Sequence, residues 1–242
     1  MNTGSSTHQG VQRPFEPAQS HPGTHARRPI WSGFSVWLAP LLLLVLSAFA
    51  SLATPSPAHA RPRVVRVPLT IHVALKDGRS VVSEDQILAS VRKANRELAA
   101  FDVHLIVKAI VPMRGTPYIE TQTQRFDLAR RAKRDGSVHV FFVDRVKLTN
   151  PRKGDRRVSG MHWRYRGLGH DIRAREYVAV AHNAPTTTLV HEVGHAFGLA
   201  HDTSTDNLMC SCRRGLDPAF TEHQGRRLRL GAKRLLRRVG RD

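Results

Sequence analysis

Sulfur and aromatic side chains are scarce in this chain. Its 242 residues hold two cysteines, too few for a disulfide framework, and a chain of this length can bury enough core to fold without one. Phe, Trp and Tyr make up 6% of the residues, and none falls in the densest basic stretch, Arg226 to Arg241. With no platform on which bases could stack, a nucleic-acid partner is not expected. Acidic residues are also few, 19 against 38 Lys and Arg, which leaves a formal net charge of +19. An excess of that size points to an anionic partner. The 40% of apolar residues excludes wholesale disorder, and the 14 prolines follow no repeat, which excludes collagen.

Charge is missing altogether from Pro29 to Ala60, a stretch centred on the apolar run Trp37 to Ala50. Arg27-Arg28 precede it, and the small-residue site Ala58-His59-Ala60 closes it. A charged flank, an apolar core and an A-x-A ending describe a signal peptide, here residues 1–60 with a long polar leader and a cut after Ala60. The arginine pair also permits a twin-arginine route. The rival is an uncleaved anchor, since Phe34 to Ala53 is long enough to span a bilayer. Pro40 and the Thr54-Pro55-Ser56-Pro57 break favour cleavage, which leaves no stable membrane span and a secreted or periplasmic protein. The first sixty residues carry three bases (Arg13, Arg27, Arg28) and one acid (Glu16), so residues 61–242 keep a net +17.

Those residues make one domain by size. Alternating apolar positions predict a strand over Val64 to Val73, followed by a turn at Asp77-Gly78. Ser83 and Gln86 form a capping box ahead of Ile87, Leu88, Val91, Ala94 and Leu98, which recur at helical spacing. Strands are expected at Val103 to Val111, Val138 to Val143 and Tyr177 to Ala181, with a weaker helix around Phe126 to Ala132. Thr149 to Arg157 reads as a polar loop, and Gly160 to Arg166 as an exposed edge strand. Thr221 and Gln224 make a second capping box, opening a helix that runs to about Val239. The order describes an α+β domain, a mixed sheet with helices packed on it.

Residues 191 to 202 read His-Glu-Val-Gly-His-Ala-Phe-Gly-Leu-Ala-His-Asp. Four residues apart on a helix, His191 and His195 share a face and can converge on one metal ion. Glu192 lies about 100° round the helix, where it can reach water beside the metal and not the metal itself. Gly198 suits the left-handed turn that ends a helix, after which His201 can return to the same ion. Three neutral imidazoles with one position left open are the pattern of a catalytic Zn²⁺ site. Five fixed identities at these offsets arise by chance with a probability on the order of 10⁻⁴ in a chain of this length.

This motif, H-E-x-x-H-x-x-G-x-x-H, resembles the signature of the metzincin zinc endopeptidases, and Met209 stands where that clan has its methionine turn. The resemblance implies a zincin-like twisted mixed sheet with an active-site helix (residues 61–201) and a small C-terminal subdomain ending in a helix (202–242). It implies one catalytic zinc on His191, His195 and His201, with Met209 as an apolar floor. The implied activity is hydrolysis of a protein or peptide substrate by zinc-activated water, with Glu192 as general base. Asp202 after the third histidine is adamalysin-like, while the eight-residue step from His201 to Met209 is matrixin-like. No cysteine-switch sequence is present, and Ser211 stands where some members have a tyrosine ligand.

Other residues carry two readings each. Gly160 to Arg166 is either the edge along which an extended peptide pairs or a plain amphipathic surface strand. His170, Asp171 and His182 are either a second, structural metal site or scattered surface groups. Cys210 and Cys212 are free thiols first, then a strained local bridge, then a further contact near the zinc. In the stretch Arg226 to Arg241, the residues Leu228, Leu230, Leu235, Leu236 and Val239 form a stripe that packs on the domain, leaving the bases as an outer face able to dock on an anionic surface. The alternative to a protease is a non-catalytic exported basic protein on a zincin fold that binds anionic surfaces. An intact Glu192 argues against that alternative, because a binder needs no general base.

Overall fold

The computed structural model describes residues 63–150, 154–167 and 169–240. The expected signal peptide and its cleavage point lie outside the described residues. Among the described residues, no helix is long and apolar enough to cross a membrane.

The chain opens with β1 (Val65–Lys76), turns through Asp77 and Gly78, both at positive φ, into the short β2 (Arg79–Ser80), and enters α1 (Glu84–Ala99). The Ser83/Gln86 capping box forms as expected, each partner meeting a main-chain N–H that a helix start leaves unpaired. Ile87, Val91, Ala94 and Leu98 are the buried apolar stripe of α1. β3 (Val103–Met113), β4 (Tyr118–Ile119), α2 (Gln122–Arg131) and β5 (Val138–Val143) follow. The weak helical signal around Phe126 belongs to α2, which starts earlier because Thr121 and Gln124 form another capping box.

The main sheet runs β3-β1-β5-β9-β8, with β2 hydrogen-bonded to the end of β1. β1, β3, β5 and β9 (Glu176–Ala181) are mutually parallel, and β8 (Gly160–Arg164) is antiparallel to β9 and ends the sheet. β5 and β9 are buried at every position, as strands covered on both faces must be. Leu69, Ile71, Val140, Val178 and Val180 pack with the helices on one face. On the other face Phe141, Tyr177 and Ala179 pack with α2 and Val146.

The expected polar loop at Thr149 to Arg157 is instead part of a hairpin, β6 (Arg145–Asn150) with β7 (Gly154–Val158), which joins β4 in a second sheet. Val146, Leu148 and Val158 turn inward at its base, but Thr149 to Arg157 is polar apart from Pro151, so no apolar alternation marks that stretch. Main-chain pairing and the Lys147–Asp155 ion pair at 2.5 Å hold it together.

The last two helices are α3 (Thr187–Ala196) and α4 (Glu222–Val239), the latter opened by the Thr221/Gln224 capping box. Leu228, Leu235 and Val239 of α4 are buried, but Leu230 is 54% exposed and falls outside the expected stripe. In place of Leu230, Gly225, Gly231 and Ala232 face inward. At Gly231 a side chain would strike the Phe197 carbonyl at the end of α3, so the two helices meet backbone to backbone. Two bases of α4 also leave the expected outer face. Arg229 pairs with Asp102 at 3.1 Å, and Arg238 grips the buried Glu176 of β9 with two 3.1 Å bonds.

Candidate metal centre

α3 presents His191 and Glu192 as buried side chains and His195 as a half-buried one. After Ala196 the helix closes with two reversed bonds. Gly198 N–H donates to the His195 carbonyl and Leu199 N–H to the Gly194 carbonyl, each at 2.9 Å, with Gly198 at φ 94°. This left-handed ending, cheap only for glycine, turns the chain back and delivers His201. The ligand atoms of His191, His195 and His201 then lie within 4.8 Å of one another, and among the described residues this is the one group of three metal-ligating side chains so placed. The Nε2 atoms of His195 and His201 are 3.0 Å apart.

Two of the rings are oriented from behind. His191 Nδ1–H donates to the Leu208 carbonyl at 2.7 Å, and His195 Nδ1–H to the Leu199 carbonyl at 2.8 Å. Each bond fixes the tautomer and leaves Nε2 as a bare lone pair. Burial holds the His191 imidazole down at about 4 and also lowers His195, so both rings are neutral near pH 7. Convergent neutral imidazoles with anchored Nδ1 atoms fit a divalent cation of the zinc class.

Glu192 is buried beside this cluster, and burial pushes its carboxyl up to about 7 against the opposing pull of the Arg214 charge and the His162 main chain. β8 lies flush on this part of α3. A Cβ at Gly160 would stand 2.7 Å from Thr188 Cγ2 and 2.9 Å from Glu192 Cγ, so the first residue of the edge strand must be glycine.

Met209 is fully buried, and its Sδ would lie 2.6 Å from a Cβ placed on Gly194, between the two helical histidines. The turn that carries it is tied on both sides. Asn207 Oδ1 accepts the Met209 N–H at 2.8 Å, Asn207 also bonds Gln224, and Leu208 N–H reaches the Ala219 carbonyl at 3.0 Å. Immediately afterwards Cys210 and Cys212 are joined as a disulfide. This corrects the first expectation of free thiols. The turn at Ser211 brings their Cα atoms to 5.2 Å, within ordinary bridging distance.

Among the described residues the other metal reading gains no cluster. Asp171 pairs with Arg130 at 2.9 Å, His182 bonds the Asp144 carbonyl, and the His170 side chain lies outside the described residues. Three residues that the sequence did not single out belong to this region. Arg214 donates from Nε to the Leu208 carbonyl, the same acceptor that orients His191, at 3.1 Å. Thr187 accepts from the Arg214 guanidinium at 3.3 Å. Glu176, a lone acid at the head of an apolar strand, binds both His162 of β8 and Arg238 of α4. An isolated carboxylate beside an apolar run was the available signal for Glu176, whereas nothing local marked Arg214.

No protein-family model and no curated protein matches the sequence. Among solved structures, mature mirolysin from Tannerella forsythia in complex with a cleaved peptide is similar at 11% identity and a TM-score of 0.53, over 72% of this chain and 96% of that one. Mirolysin in complex with a small compound is similar at 11% identity and a TM-score of 0.55, with the same coverage. Archaemetzincin from Methanopyrus kandleri is 17% identical over 72% of this chain and 99% of that one, with a TM-score of 0.47. The likeness to mirolysin is one of fold, the mixed α+β arrangement with a twisted sheet. By motif and by fold the chain resembles the metzincin-type zinc metalloproteases.

Proposed function

We propose that this chain, metzincin-like in motif and fold, is an exported zinc-dependent endopeptidase. The observation that carries the reading is the joint placement of three imidazoles, two of them anchored at Nδ1, beside a buried carboxyl that accepts no hydrogen bond from them. One ion on His191, His195 and His201 is the stoichiometry that the cluster supports. Zinc held there supplies Lewis acidity, polarising the scissile carbonyl and making attacking water more acidic.

The chain's own groups perform the rest. Among the described residues β8 pairs in its sheet with β9 alone, so its outer main-chain groups can take an extended peptide as a further strand. Gly160 keeps that strand against Glu192, so a peptide paired to β8 would run alongside the base. The Glu192 carboxylate takes a proton from water as the new C–O bond forms, then gives it to the amine nitrogen as the C–N bond breaks. Burial raises this carboxyl in the metal-free chain, and the charge of a bound cation would pull it back toward the ionised form that a base needs.

Export is proposed on the leader alone, the uncharged stretch Pro29–Ala60 with its Ala58-His59-Ala60 site. Docking on an anionic surface is proposed for the exposed bases Arg226, Arg227, Lys233, Arg234 and Arg237 of α4, which have no role in the centre.

Glu192→Ala tests the catalytic reading. It should keep one zinc per chain and lose peptide cleavage by about 10²- to 10⁴-fold, the range for positioned acid–base groups. Undiminished cleavage by this variant sinks the assignment. His191→Ala should lose the metal, and an unchanged zinc titration would refute the ligand set.

A further inference from the structure

The centre opens into a cleft of about 820 Å³ between β8, α3 and the segment Cys210 to Pro218. Five arginines line it, Arg125, Arg156, Arg157, Arg213 and Arg214, and its one carboxylate is Glu192. Elsewhere three partly buried arginines have acids, while Arg134 and Arg175 end on the main-chain carbonyls of Arg238 and Ala132. Arg145 meets Glu120 at 2.7 Å, Arg229 meets Asp102, and Arg238 meets Glu176.

Arg214 has no acid either, and unlike Arg134 and Arg175 it lines the cleft. It is half-buried, its Nε and one Nη meet only the neutral oxygens of Leu208 and Thr187, and among the described residues no carboxylate lies within 4.0 Å of it. A guanidinium has five N–H donors, so three remain on a charge that has been taken partly out of water without a counterion, an arrangement that costs stability unless an anion completes it. An independent sign points the same way. Thr188, on α3 one turn before Glu192 and in the wall of this cleft, buries a hydroxyl that has no partner among the described residues. Arg125, on the far wall, also buries an Nε–H without an acceptor.

We propose that the cleft selects substrates with a carboxylate close to the scissile bond, and that Arg214 is the residue that determines this specificity. The inference rests on the peptidase reading. The carboxylate belongs either to an Asp or Glu side chain within the peptide or to a free C-terminus. Both offer the planar pair of oxygens that a guanidinium grips through two N–H groups. The surrounding arginines raise the local concentration of such ligands, an attraction that added salt screens.

The test uses fluorogenic peptides capped at both ends that differ only by Glu or Gln at one position beside the cleaved bond, plus a third peptide with Gln and a free C-terminal carboxylate. Cleavage of the Glu peptide should exceed that of the Gln peptide by about 10- to 100-fold in kcat/KM, the scale of a charge-assisted pair. The ratio should shrink in 0.5 M salt. Preference confined to the free terminus would assign the carboxylate to the chain end. Arg214→Lys should retain the preference, and Arg214→Glu should reverse it, so that a Lys peptide is cleaved better than its Gln counterpart. A merely structural role for Arg214 would lower all three rates together.

The same peptides are also titrated by fluorescence anisotropy against zinc-loaded Glu192→Ala, which reads recognition without turnover. No cleavage of any peptide by the zinc-loaded unmodified protein, with Glu-over-Gln binding preserved, would overturn the peptidase reading and leave the carboxylate site standing. Equal binding and equal cleavage of all the peptides would overturn the inference.

Discussion

Gly194→Ala and Met209→Ala, made singly and together, test whether the floor of the centre is a fitted contact. On its own, Gly194→Ala improves helix propensity by up to about 1 kcal/mol. It also sets a methyl 2.6 Å from Met209 Sδ and 3.4 Å from Met209 Cε, with Phe220 Cε1 at 3.6 Å behind them. Met209 is fully buried, so the thioether must move within a packed core, at a cost of about 1–3 kcal/mol. A net destabilisation of about 1 kcal/mol is expected. Met209→Ala removes the whole thioether and should cost about 2–5 kcal/mol. In the double variant the new methyl enters space that the thioether has left, so the clash is gone and the helix gain remains. The double variant should therefore be more stable than the sum of the singles by about 1–2 kcal/mol. Urea unfolding of the metal-free protein measures the cycle, and in thermal melts the coupling should appear as roughly 2–8 °C, at 2–4 °C per kcal/mol for a domain of this size. Additivity within about 0.5 kcal/mol would show that Met209 does not fill the space against Gly194, and the fitted-floor account would fail.

Burial raises the folded pKa of Glu192 from 4.5 to about 7, so the metal-free protein should lose stability as pH rises from 4.5 to 7, by about 3 kcal/mol from this group. Glu192→Gln should lack that component, and a difference between the two proteins that does not vary with pH would contradict it. His191 works in the opposite direction. Its folded pKa of about 4 means that acidification from 6.5 to 4 destabilises the metal-free fold by about 3 kcal/mol, and bound zinc, which keeps the folded ring unprotonated while the unfolded chain still takes up protons, should extend the loss below pH 4. Glu176→Gln should cost about 3–5 kcal/mol, because it leaves Arg238 without its counterion in a site where the carboxylate is 3% exposed, and an unchanged urea midpoint would refute this. Gly198→Ala forces a side chain into φ 94° and should cost about 1–2 kcal/mol together with a measurable loss of zinc affinity, since His201 depends on that turn. A zinc titration equal to that of the unmodified protein would separate the turn from the centre.

The elements that could be read in advance were those whose cause is local. The capping boxes at Ser83/Gln86 and Thr221/Gln224 lie within four residues of chain, and each marked a helix start to the residue. The same locality made the cluster readable, because one helical turn and one glycine bring His191, His195 and His201 together. What stayed hidden depends on partners distant in sequence. Arg214 matters through the Leu208 carbonyl and Thr187, and a main-chain oxygen leaves no mark on a sequence. The β6–β7 hairpin is buried only at its base, around Val146, and Thr149 to Arg157 is polar apart from Pro151, so that stretch looked like loop. Leu230 misled for the opposite reason. Its period suited the stripe, but α4 approaches α3 so closely at Gly231 that the contact turns on the absence of a side chain.

Gln224 does two jobs at once. It closes the capping box that starts α4, and it bonds the Asn207 side chain that holds Met209 in place. The start of the C-terminal helix and the underside of the metal centre therefore share one amide group. A protease that cuts the exposed chain between Ser211 and Asp217 would leave every histidine intact and still separate the centre from its support. Loss of the helix would then loosen the floor under Met209 without removing one of the three histidines.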